Sequence, residues 1–108
     1  MDIYRIEDMV GGWFMGDFEP SAFRTSDVEV GYHRYVKGQD WPKHHHKIAT
    51  EINYMISGVM DLNEQHIVAG DVFVIYPGES VKPIYLEDCE MIVVKVPSSP
   101  GDKYEDKE

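Results

Sequence analysis

Short runs of β-branched and aromatic residues, cut every few positions by Gly, Pro, Asn or Asp, fill this chain from Val28 onward and leave no stretch long enough for an extended helix. Val28-Glu29-Val30-Gly31-Tyr32 alternates, and the pattern predicts a strand running on to Val36 before Lys37-Gly38-Gln39-Asp40 turns the chain. Pro42 limits where the next strand can begin. Glu51-Ile52-Asn53-Tyr54-Met55-Ile56-Ser57 reads as a strand, Gly58 as a bend, and Val59-Met60-Asp61-Leu62 as a second strand. Asn63-Glu64-Gln65 is the expected hairpin turn before His66-Ile67-Val68. Residues 71–76 form a further strand stopped by Pro77-Gly78, and 91–96 is a nearly continuous apolar run, expected to be covered on both faces. Strands this short and this evenly spaced predict an all-β sandwich or barrel.

Residues 1–27 read differently. Gly11-Gly12 and Gly16 interrupt Met9, Val10, Trp13, Phe14, Met15 and Phe18, so one short turn or an edge strand is expected, covering either this chain's own barrel or a second subunit. After Pro97, Ser98-Ser99-Pro100-Gly101 leads into Asp102-Lys103-Tyr104-Glu105-Asp106-Lys107-Glu108, read as an acidic, mobile tail over 98–108. The 108 residues are expected to make one domain: an N-terminal cover over 1–27, a barrel over 28–97 and the tail.

Composition narrows the possible partners. With 43% hydrophobic and 12% aromatic residues the chain can bury a core, which excludes global disorder. A formal net charge of -10 repels phosphate backbones and anionic lipid, so neither nucleic acid nor a membrane is expected as a partner, and a small molecule or a protein is. Cys89 is the only cysteine, so one chain forms neither an internal disulfide nor a thiolate cluster. The start lacks the basic and apolar regions of a signal peptide, and no run approaches the roughly 18 apolar residues of a membrane span. A soluble, cytoplasmic protein is the expectation.

Three of the five histidines are consecutive, in KHHHKIATE, residues 43–51. In an extended strand alternate side chains share a face, which groups His44 with His46 and turns His45 outward to solvent. Glu51 lies five residues beyond His46, a span that can loop back and bring a carboxylate beside the two imidazoles. Two imidazoles and a carboxylate make the facial triad that holds a divalent ion while leaving positions open; the alternative is a polar interior whose hydrogen bonds are satisfied without metal. His33 and His66 have no partner at suitable spacing and are read as surface strand residues. Tyr35, Tyr54 and Trp41 are read as packing or rim aromatics, and Lys47 as a solvated cation that could steer an anion.

The stretch resembles the first motif of the cupin superfamily, G-x5-H-x-H-x4-E-x6-G, with Gly38, His44, His46, Glu51 and Gly58 at every interval. At average residue usage, a five-position match in so short a chain has chance odds on the order of one in a hundred thousand. The second motif, G-x5-P-x-G-x2-H-x3-N, is matched in part. Gly70 and Gly78 are in register, while Tyr76 stands at the motif's proline, Val81 at its histidine and Tyr85 at its asparagine.

The resemblance implies a double-stranded β-helix, a jelly-roll barrel that commonly pairs into a homodimer. It also implies one divalent metal per chain (iron, manganese, zinc or nickel) on His44, His46 and Glu51. Because valine cannot ligate, the resemblance leaves three possibilities: a three-ligand centre completed by water and substrate, a substitute ligand such as Glu79 or Tyr85, or a vacant pocket. If Glu51 faces inward, so do Asn53 and Met55, and Tyr85 lies on the face of Val81; these three are the expected pocket residues. Two functions follow from the resemblance. One is a metal-dependent enzyme acting on a small oxygenated metabolite, of the dioxygenase, decarboxylase or sugar isomerase type; the other is a non-catalytic module that binds or senses a carbohydrate-like small molecule.

Overall fold

The computed structural model describes residues 1–107. Eleven strands are present among them: β1 Trp13–Gly16, β2 Phe23–Arg24, β3 Glu29–Tyr35, β4 His44–His45, β5 Thr50–Ser57, β6 Val59–Leu62, β7 Gln65–Val68, β8 Val72–Ile75, β9 Pro83–Tyr85, β10 Cys89–Val96 and β11 Tyr104–Glu105. Six form one sheet in the order β2-β1-β3-β10-β5-β8, three form a second in the order β7-β6-β9, and β11 pairs with β4. No helix among the described residues is long and apolar enough to cross a membrane.

The period-two alternation of β3, β5, β8 and β10 decides what faces inward. Their antiparallel register sets Glu29, Lys95, Glu51 and Ile75 in one row across the large sheet, with Gly31, Val93, Asn53 and Phe73 in the next. Both rows lie on the covered face, and Val30, Val94, Ile52 and Val74 form the matching row on the outer face. The expected strand at 91–96 is therefore one-sided: Met91, Val93 and Lys95 are buried, while Ile92 and Val94 are only half-buried.

The second sheet closes over that face. Met60, Leu62 and Ile67 pack with Met55, Ile75, Val81, Tyr85, Cys89, Met91 and Val93 into one cluster, against which Trp13, Tyr35, Trp41 and Phe73 lean. Three of those ten buried residues are methionines, whose unbranched thioethers fill the irregular gap between two twisted sheets. Met55 is wholly enclosed, and its truncation to alanine would cost about 2–5 kcal/mol.

Turn chemistry sets the joints. Asn63 and Glu64 both take positive φ, 48° and 68°, so the β6–β7 hairpin closes on two residues and Gln65 already belongs to β7, one residue tighter than expected from sequence. Gly58, at φ 94°, also sits against the main chain: a Cβ there would lie 2.2 Å from the Asp88 carbonyl oxygen.

Both chain ends are paired into the sheets. The N-terminal segment turns twice, at Ile6–Asp8 and Val10–Gly12, and then enters the large sheet as β1, which pairs with β3 of its own chain and brings Trp13 onto the core. The acidic tail is docked. The Asp102 carboxylate accepts the backbone N–H groups of Lys47, Ile48 and Ala49 at 2.9, 3.0 and 3.0 Å, and β11 adds to β4 two residues later. A high density of charge predicted mobility, but buried backbone donors need an acceptor and this tail supplies one.

Candidate functional site

His44 and His46 are buried and His45 is not, an alternation that begins in β4 and continues into the residue after it. His44 exchanges both backbone hydrogen bonds with Val81, His44 N to Val81 O at 3.0 Å and Val81 N to His44 O at 2.8 Å. The Gly78 N–H bonds the His46 carbonyl at 2.7 Å. These bonds anchor the histidine run to the turn that carries Gly78. The imidazoles of His44 and His46 stand edge to face with centroids 5.5 Å apart.

Each of these rings is oriented through Nδ1. His44 Nδ1 lies 2.9 Å from the Pro42 carbonyl oxygen, and His46 Nδ1 bonds the Asp102 carbonyl oxygen. A carbonyl can only accept, so both Nδ1 atoms carry the proton and Nε2 is the remaining nitrogen of each ring. His46 Nε2 is 3.2 Å from Glu51 Oε1, and the amide nitrogen of Asn53 donates to Glu51 Oε2 at 3.0 Å. The Glu51 carboxylate raises the His46 pKa above the ordinary histidine value. Burial pushes Glu51 upward, but the bonds from His46 and Asn53 outweigh it and hold the carboxyl below its usual range. His44, whose largest influence is burial, is lowered and stays neutral at pH 7.

Asn53 leaves a buried oxygen without a partner. Its nitrogen is fixed by the carboxylate it serves, so Oδ1 points elsewhere, and no hydrogen bond reaches it. A cavity of about 390 Å³ opens beside these groups between the two sheets. His44, His46, Glu51, Asn53, Val81 and Tyr85 line it, together with the aromatic wall of Trp13, Tyr35, Trp41 and Phe73. Tyr35 and Tyr85 stack at 4.5 Å with an interplanar angle of 8°, and burial pushes the Tyr35 hydroxyl up to about 12 and Tyr85 higher still, so both remain protonated donors.

Several sequence expectations need correction. Met55 faces inward with Glu51 and Asn53 but lies one pleat too deep, inside the hydrophobic cluster, and does not line the cavity. His45 is half-buried rather than solvated: its Nδ1 lies 2.8 Å from Asp106 Oδ1, and Ser80 Oγ donates to Asp106 Oδ2 at 2.6 Å. His33 is not a surface residue. It shares the inner face of β3 with Tyr35, packs against Trp13 with centroids 4.6 Å apart, and has an Nε2 atom without a partner. Burial lowers its pKa to about 4.

Glu79 is exposed and spends its carboxylate on the Tyr76 N–H at 2.8 Å, within its own turn and outside the cavity. Lys47 extends over the Tyr104 ring at 4.1 Å, also outside. The cations that do line the cavity include Lys95 and Lys103. Lys95 carried a legible signal, since it is the single charge within the apolar run 91–96, in phase with Met91 and Val93. Lys103 and Asp102 carried none, because their partners are more than fifty residues away.

Among the described residues, no group of three or more His, Cys, Asp or Glu side chains is arranged to hold a metal ion in this conformation. The donor chemistry nonetheless suits one. Two imidazoles whose Nδ1–H groups are held by main-chain carbonyls, beside a carboxylate oriented by an amide, form the outer support that metal-ligating histidines receive. His44, His46 and Glu51 are the residues that could hold such an ion.

No protein-family model matches this sequence, and no curated protein does. Solved structures do match. A conserved protein with a double-stranded β-helix domain from Klebsiella pneumoniae superposes with a TM-score of 0.68 at 23% identity, over 78% of this chain and 78% of that one. An RmlC-like cupin from Shewanella frigidimarina gives 0.64 at 16% identity, over 70% and 71%. The DMSP lyase DddQ from Ruegeria pomeroyi gives 0.71 at 15% identity, over 86% of this chain and 49% of that protein. The chain folds as an all-β, cupin-type double-stranded β-helix, a jelly-roll barrel, and proteins of this fold include enzymes.

Proposed function

We propose that this protein binds one divalent metal ion through His44, His46 and Glu51 and acts on a small oxygenated metabolite in the cavity beside them. One observation carries the reading. Both inward histidines present Nε2 because both Nδ1–H groups are held by main-chain carbonyls, and a carboxylate stands next to them. A polar interior built only to satisfy itself would not leave Asn53 Oδ1 buried and unpaired at the same place. A bound ion of this kind polarises substrate oxygen atoms. The residues of the chain bind and orient: Asn53 offers an acceptor, the Tyr35 and Tyr85 hydroxyls, which bond each other, have one proton between them left to offer, and the aromatic wall excludes water.

A second reading is favoured by Val81, which lies directly across the bridge from His44, lines the cavity, and stands where the second cupin motif has its histidine. With one ligand fewer, the same cavity serves a binding or sensing module that performs no chemistry. Elemental analysis of protein purified without a nickel column, wild type against His46→Ala, tests the first reading. Stoichiometric iron, manganese, zinc or nickel that disappears in the variant supports it, and substoichiometric metal indifferent to the substitution rejects it. Dioxygen uptake and turnover with small diols and keto acids then separate enzyme from sensor.

A homodimer belongs to the same proposal. The outer face of β5 and β8 exposes Tyr54, Ile56, Val72 and Val74 side by side, an apolar patch suited to a second copy.

A further inference from the structure

The cavity holds more positive charge than its own carboxylates require. Lys95 is buried in the middle of the large sheet, with Nζ 4.0 Å from Glu29 Oε2 and 5.1 Å from the centre of the Trp13 ring. Glu29 Oε1 accepts from Ser98 Oγ at 2.9 Å and from the Ser99 N–H at 3.1 Å, so Lys95 shares this carboxylate with two other donors and meets its Oε2 only at the limit of ion-pair distance. Lys103 is delivered by the docked tail, and its Nζ lies over Trp41, 4.1 Å from the ring centre. Among the described residues no carboxylate comes within ion-pair distance of it. Burial and then the charge of Lys95 lower its pKa, so the two ammonium groups feel one another across the space they both line. Glu51, the carboxylate lining that space, is taken by His46 and Asn53. In a chain whose net charge is -10, this concentration of cations is local, and Lys95, buried with an ion pair no closer than 4.0 Å, is a cation that an added anion stabilises.

The third group is Asn53. The residue is 1% exposed, its side-chain nitrogen is fixed by Glu51, and its unpartnered Oδ1 can only accept a hydrogen bond. A ligand that satisfies all three groups carries an anion at one end and an O–H at the other. Arg34 also lines the cavity, but its guanidinium is engaged by the Tyr32 hydroxyl and Glu90, so the anion meets two lysine point charges; apart from the histidines and Gln39 the rest of the wall is largely aromatic and aliphatic, which suits a carboxylate on a compact carbon skeleton.

We infer that the cavity is built for a small hydroxy-carboxylate, its carboxylate held between Lys95 and Lys103 and a hydroxyl donating to Asn53 Oδ1. This rests on the site proposed above for its location and names the ligand class of that site.

The test is calorimetric titration of the protein as purified, at pH 7 and low ionic strength, with matched pairs that differ in the carboxylate: glycolate and ethylene glycol, L-lactate and propane-1,2-diol, D-gluconate and D-glucitol. At least one carboxylate binds tighter than its neutral counterpart by about tenfold or more, and Lys103→Met abolishes that preference. Lys103 is at the surface, so this variant folds even where Lys95→Met does not. The inference is overturned if no carboxylate outbinds its alcohol, or if the preference survives in Lys103→Met. Inorganic phosphate that binds tighter than every carboxylate and is lost in Lys103→Met overturns the carboxylate assignment as well. Metal content is measured on the same samples. Stoichiometric metal with no carboxylate preference rejects this inference alone, and carboxylate preference in metal-free protein rejects the metal reading alone.

Discussion

The main-chain carbonyl of Asp102 accepts the Nδ1 proton of His46 while the carboxylate of the same residue accepts three consecutive amide protons, from Lys47, Ile48 and Ala49. One residue of the C-terminal tail thus orients a candidate ligand and caps the segment that joins it to Glu51. Burial pushes the Asp102 carboxyl up, and the three amides with His46 outweigh that and hold it below its ordinary value.

Asp102→Ala removes the only acceptor these hydrogen bonds describe for three amides. Leaving such donors unsatisfied costs roughly 1–3 kcal/mol each where they stay buried, so a net loss of about 3 kcal/mol in unfolding free energy is expected from urea titration, with Asp102→Asn intermediate. Because the folded-state pKa is depressed, this contribution is present above the unfolded Asp pKa and is lost only as pH falls through the lower folded value. An Ala variant within 0.5 kcal/mol of wild type, taken as about the error of such a comparison, would show that the tail is not held as described.

His33 gives a separate acid response. Its pKa in the fold, lowered by burial to about 4 and influenced also by Glu51 and Lys95, lies below the unfolded value of 6.5. The unfolded chain therefore protonates first, and stability falls as pH drops from about 6.5 toward 4. Between pH 7 and pH 5 this amounts to about 2 kcal/mol at most. His33→Gln, compared with wild type by denaturant unfolding at both pH values, should flatten that interval. An equal slope in both proteins removes His33 as the cause, leaving His44, which is lowered in the same direction.

Gly58 and Gly70 share nearly the same positive φ, 94° and 93°, but have different surroundings. At Gly58 a Cβ would meet the Asp88 carbonyl oxygen at 2.2 Å, whereas at Gly70 nothing lies within 4 Å. Gly70→Ala should cost about 1 kcal/mol of backbone strain, and Gly58→Ala that amount plus the displacement of a strand end, about 3 kcal/mol or more. Thermal melts of the two variants rank them, and equal losses would mean that strain alone acts at both.

The proposed dimer predicts that wild type sediments as twice the chain mass and that Val72→Glu with Val74→Glu sediments as a folded monomer. A charge on that outer face is free of penalty in water and forbidden in an apolar interface. Monomeric wild type at micromolar concentration removes the dimer.

Local chemistry determined a good part of this protein. Period-two alternation and Gly-Pro punctuation define β3, β5, β6, β8 and β10 to within a residue or two, and the interval between His44 and His46 is enough to put both on one face, since parity along a strand is a property of the covalent chain. The spacing from His46 to Glu51 made their meeting possible. Only tertiary structure decided the rest, because it depended on contacts between distant residues. Register across β3, β10 and β5 set Lys95 between Glu29 and Glu51, and two further residues of depth moved Met55 from the cavity into the core. Burial turned His33 from a surface residue into a wall of the cavity. The tail looked mobile because its charges have no local partners; what holds it are amide protons and an imidazole more than fifty residues away, brought within reach when the barrel closes.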